Sequence, residues 1–82
     1  MNLRTLEMPP CTRTAVLKLL IAIETTESDQ ALNMAGQRAE GFVFGLETAG
    51  AFKPAAIEAL YVGFETACRT HQGKLDTLHV DI

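Results

Sequence analysis

The chain has no tryptophan, one tyrosine and four phenylalanines in 82 residues. So little aromatic volume leaves the core to Leu, Ile, Val, Met and Ala, a set that suits close-packed helices better than stacked sheets. Two cysteines, Cys11 and Cys68, are too few for a disulfide framework. No long hydrophobic run is present either. The most apolar stretch, "AVLKLLIAI" at 15–23, contains Lys18. As a helix it rises only about 14 Å, against a hydrocarbon core of about 30 Å. The opening "MNLRTLEMPP" lacks the apolar segment of a secretory signal. These features point to a cytoplasmic protein with reduced thiols and no membrane partner.

Charge of one sign is not concentrated along the chain. Ten acidic and seven basic residues give a net charge of −3. That balance disfavours nucleic acid, whose phosphates supply most non-specific affinity for basic proteins. No phosphate-binding loop or dinucleotide fingerprint occurs. No repeat or linker divides the chain, so it forms one domain over residues 1–82. A single core at this size is marginal, and small domains usually add a disulfide, a metal or a partner.

What is there is helical periodicity. Pro9 and Pro10 suit a helix start, with Thr12 as an alternative N-cap. The first helix then runs over about 10–26, with Val16, Leu19, Leu20 and Ile23 as its stripe. Leu17 and Ile21 fall on its far side. "TTESDQAL" interrupts, and Ser28 or Asp29 caps a second helix over about 28–48. Gly50 ends it in the left-handed conformation. Ala31, Ala35, Ala39, Phe42, Leu46 and Ala49 form its apolar face. A third helix runs over about 54–72 and stops at Gly73. Its stripe is Ala56, Ile57, Leu60, Phe64, Ala67, Cys68 and His71. The tail 75–82 changes period: Leu78, Val80 and Ile82 alternate with polar residues, which is strand spacing. The expected fold is all-α, an up-down-up bundle of three helices with short extended termini. Dimerisation completes it, the C-terminal tail of one chain pairing with the N-terminal arm of another.

"EGFVFGLETAG" at 40–50 raises a difficulty for a helix. Gly41 and Gly45 lie inside it, and each glycine, like Gly36, costs about 1 kcal/mol relative to alanine. Phe44 points to the wet side. One plain reading is that the glycines are tolerated and Phe44 is a single exposed hydrophobe. Another is that "GFVFGL" is a strand. The favoured reading rests on coincidence: Leu17, Ile21, Phe44 and Val62 all point away from the expected core. Together with Gly41 and Gly45, they define the expected interface, for a second copy or another protein.

Chemistry is sparse. Cys68 and His71 share a helical face, and Cys11 and His79 would complete a zinc-acceptable set, but the spacing is not that of a finger. As nucleophile and base, Cys68 and His71 have no third group. The plainer reading is a buried thiol and a histidine near a helix C-terminus. No catalytic, cofactor or metal site is expected. "GAFK" between the second and third helices could be the turn of a helix-turn-helix. The helix after it, "PAAIEALYVG", offers no Arg, Asn or Gln to base edges and brings Glu58 near the phosphates. The expected function is therefore a small adaptor, inhibitor or other regulatory protein that associates with itself. A helix-turn-helix DNA-binding regulator and a thiol or metal site at Cys68 and His71 are the alternatives.

Overall fold

A computed structural model describes residues 3–79, residue 79 by its backbone alone. Three α-helices follow one another: α1, Pro10–Glu24; α2, Asp29–Ala49; and α3, Pro54–His79. Among the described residues there is no strand, so the chain is all-α. Each helix packs against both others. No helix among them is long and apolar enough to cross a membrane.

Local chemistry places the ends. No side chain caps α1. Its start rests on Pro9, in extended backbone, and on Pro10 at the first helical position. Thr12 lies inside the helix. At the other end, the hydroxyls of Thr25 and Thr26 donate back to the carbonyls of Ile21 and Ile23, each at 2.9 Å, and α1 ends short of residue 26. Ser28 is the N-cap of α2, its hydroxyl accepting the Ala31 N–H at 3.1 Å. The end of α2 is a Schellman motif. Gly50 takes φ 68°, its N–H donates to Glu47 at 3.1 Å, and Ala51 N–H reaches Leu46 at 3.5 Å. α2 runs unbroken through "GFVFGL", which excludes the strand reading.

The two termini depart from expectation. α3 does not stop at Gly73 but runs to His79. Glycine ends a helix when the chain turns left-handed there, and among the described residues only Gly50 does so. Burial outweighs the stop signal, since Leu75 is 1% exposed and part of the core. Thr77 back-bonds to the Gly73 carbonyl at 3.0 Å, and Gln72 reaches Asp76 at 2.9 Å. The tail expected as extended over 75–82 is thus helical as far as it is described, and residues 80–82 lie outside the described residues. The N-terminal arm is no strand either. Leu3 and Leu6 are buried, and the Arg13 guanidinium donates to the carbonyls of Arg4 and Leu6 at 3.1 and 2.8 Å. The expected pairing of arm and tail strands between two chains thus finds no strand in either segment among the described residues.

The deepest side chains are Val16, Leu20 and Ile23 of α1, Leu32, Ala39 and Val43 of α2, and Ile57, Leu60, Phe64 and Leu75 of α3. On α1 and α3 these follow the expected stripes. On α2 the face is turned. Leu32 and Val43 are buried, whereas Ala49 is exposed and Ala31, Ala35, Phe42 and Leu46 are only partly covered. Its buried face is centred on Leu32, Ala39 and Val43, with the larger Leu and Val rather than the rest of the alanine row turned to the core.

If the turns beyond Gly73 belong to the bundle, Leu75→Ala should cost about 3 kcal/mol, as large-to-small core changes do. Leu78→Ala, at a residue 76% exposed, should stay within about 0.5 kcal/mol. Urea denaturation of the two variants reads the difference, and equal small losses would contradict a helix packed to its end.

Candidate interaction site

α2 and α3 run in opposite senses, as their contacts show. Asp29 accepts from Gln72 at 2.9 Å, a Cβ on Gly36 would meet Cys68 Sγ at 3.0 Å, and the Tyr61 hydroxyl donates to Glu47 at 3.0 Å. Between the two helices, on the side away from α1, lies a groove of about 700 Å³. Leu32, Gly36, Phe64 and Cys68 line its floor, and Glu40, Val62, Glu65 and Arg69 stand along its rims. A second groove, of about 580 Å³, separates α3 from α1 and the N-terminal arm. There Leu3 sits on Gly63, where a Cβ would lie 2.5 Å from Leu3 Cδ2. Val62 borders both grooves, so it stands on the crest of α3.

The expected interface residues divide by location. Phe44 lies one turn beyond Glu40 on the same side of α2. Interpolation between the Gly36–Cys68 and Glu47–Tyr61 contacts brings it to about the level of Val62. Phe44 is 62% exposed and Val62 53%, and the two flank the α2–α3 face. Gly41 and Gly45 are farther round α2, exposed, with nothing within 4 Å of an added Cβ. Met34 shares that outer side and is 57% exposed. Nothing in the sequence marks it, because it reads as one more hydrophobe in an alanine-rich helix. Leu17 and Ile21 are on α1, across the bundle from this face, Leu17 half-buried and Ile21 exposed. No single apolar face gathers all of them.

The α2–α3 face is acidic. Asp29, Glu40 and Glu65 line its groove, and Glu47 and Glu58 lie together beyond the Tyr61 end. Its cation among the described residues is Arg69, 3.5 Å from Glu65 in an exposed pair. Tyr61 registers this field. Partial burial, the hydrogen bond to Glu47 and the charges of Glu47 and Glu40 push its phenol above the ordinary 10.0.

Cys68 and Cys11 are both free thiols, Cys68 half-buried and Cys11 exposed. Burial pushes the Cys68 thiol up. His71 Nε2 lies 2.7 Å from the Thr26 carbonyl, so it donates there and ties α3 to the α1–α2 loop. Among the described residues, no three His, Cys, Asp or Glu side chains converge on a common metal position. Compared with protein families, curated proteins and solved structures, the chain matches none.

Two measurements probe this environment. Tyr61 is the single tyrosine in a chain without tryptophan, so its absorbance titration is readable alone. The midpoint should lie above 10.0, and Glu47→Gln should lower it by removing the charge that opposes phenolate. A wild-type midpoint at or below that value would contradict the acidic face. Because the thiolate is the nucleophile, a brief alkylation at mildly alkaline pH should modify Cys11 before Cys68, and urea should abolish the difference. Peptide mass analysis reads both sites.

Proposed function

We propose that this is a small cytoplasmic protein-interaction protein of regulatory kind, an up-down-up helical bundle that pairs with itself through the outer side of α2. One observation carries the reading: Gly41 and Gly45 have no neighbour that needs their missing side chains. Gly36 and Gly63 are accounted for inside the chain, by Cys68 and Leu3. Gly41 and Gly45 together cost α2 about 2 kcal/mol relative to alanine, and no described residue packs against them to offset that loss. A second helix lying close against them does. Met34 and Phe44 supply apolar contact on either side, and small residues let helix backbones approach. The second copy meets α2 of the first across a twofold axis, the commonest arrangement for small homo-oligomers.

Light scattering over a dilution series tests the proposal. The wild type should weigh twice 8.9 kDa, and Phe44→Glu should give a folded monomer. Gly41→Ala with Gly45→Ala should move two quantities in opposite directions. The monomer gains about 1–2 kcal/mol from helix propensity, while the added methyls hold the helices apart and weaken the dimer. A wild type that is monomeric at every concentration, with alanines that only stabilise it, would overturn self-association.

A further inference from the structure

We infer that the acid-rimmed groove between α2 and α3 receives a basic amphipathic helix from another protein. The inference rests on reading the chain as an interaction protein and names the class of its partner. The shape is that of a helix site. Two antiparallel helices flank a trough whose floor includes Leu32, Gly36 and Cys68. From the level of Asp29 to that of Phe44, α2 rises about 22 Å, the length of a helix of about 15 residues. Gly36 keeps the floor free of a side chain. Phe44 and Val62, both largely exposed, stand ready to close over apolar anchors spaced at i, i+3, i+4 and i+7.

Charge selects the occupant. Three of the residues lining the groove are acidic, Asp29, Glu40 and Glu65, and Glu47 and Glu58 lie together beyond its Tyr61 end. Against them stands Arg69, already beside Glu65. A second copy laid on this groove would set carboxylates against carboxylates, which suppresses self-pairing here. Phosphate backbones and anionic lipid surfaces are repelled for the same reason. A helix with an apolar stripe flanked by Lys and Arg meets both requirements at once. The self-pairing side of α2, with Met34, Gly41 and Gly45, lies farther round that helix, and Phe44 stands between the two surfaces.

The probe is a synthetic peptide of about 16 residues, long enough to span the groove, with leucines at helical spacing and lysines elsewhere. A peptide of the same composition in alternating order is one control, and a leucine–glutamate version is another. Fluorescence anisotropy should show binding of the helical leucine–lysine peptide alone, weakened by salt. Glu40→Lys with Glu65→Lys should weaken it at least about ten-fold. Glu7→Lys with Glu24→Lys, which changes net charge equally but lies on the arm and α1, should weaken it less than about two-fold. Bound peptide should also slow alkylation of Cys68 and not of Cys11. Equal weakening by the two charge-reversed pairs, an unprotected Cys68, or no binding would each overturn the inference. Should any of these occur while the wild type still weighs as a dimer, the interaction reading stands and the occupant of the groove is wrong. The charge-reversed variants keep Phe44, so their molar mass should match the wild type.

Discussion

Where Gly36 of α2 passes Cys68 of α3 the helices are close, since a Cβ at position 36 would lie 3.0 Å from the sulfur, tight enough that the thiol would have to shift. This close approach sets the spacing of the two longest helices. It buries one side of the thiol, and through the resulting loss of solvation raises its pKa. Leu32 and Phe64, both buried, lie beneath the α2–α3 groove at different levels. Hydrogen bonds hold the same pair of helices on both sides of the Gly36–Cys68 contact, from Gln72 to Asp29 and from Tyr61 to Glu47. Both bonds are exposed and worth little singly; their effect is to keep the relative level of two helices whose apolar contact would tolerate sliding.

The remaining elements are arranged around that pair. α1 covers the opposite side, and its C-terminal loop is tied to α3 by His71 and the Thr26 carbonyl. The N-terminal arm closes what α1 leaves open. Leu3 fits over Gly63, Arg4 pairs with Glu24 at 2.9 Å, and Arg13 holds the arm by its carbonyls. A chain of this length has little core to spare, so an irregular arm over residues 3–9 that buries Leu3 and Leu6 matters to it.

Much of this was legible in the residues. The proline start of α1, the Ser28 cap and the Gly50 stop are local chemistry, and local chemistry is readable without neighbours. So are the stripes of α1 and α3. What could not be read was decided by tertiary contact. Gly73 resembles a stop until Leu75 is seen to be buried. Leu78 reads as the start of a strand because alternation over a few residues cannot be told from the last turn of a helix. The turned face of α2 brings Leu32 and Val43 to the core ahead of most of the alanine row, and a hydrophobic pattern does not separate the two. Nor does spacing reveal which glycines have partners. Gly36 reads as a helix fault alongside Gly41 and Gly45, and Gly63 carries no signal, yet Gly36 and Gly63 are the ones with side chains packed against them.

That division among the glycines bears on how one small helix can serve two purposes. Around α2, the direction of α3 carries Gly36 and the acids; farther round come Phe44, then Gly41, Met34 and Gly45. Glycines favour close approach by an identical surface, although Arg38, four residues after Met34, stands on the same side. A row of carboxylates does the reverse, and the repulsion is strongest where two copies would meet face to face. On the proposed reading, each surface would therefore disfavour the other's occupant. Phe44 stands at their boundary, and its ring can pack toward either side. If the proposed surfaces are used, an apolar residue at that position would suit either, whereas a charge there would disturb both; that is the role proposed for a large hydrophobe kept in water beside two glycines.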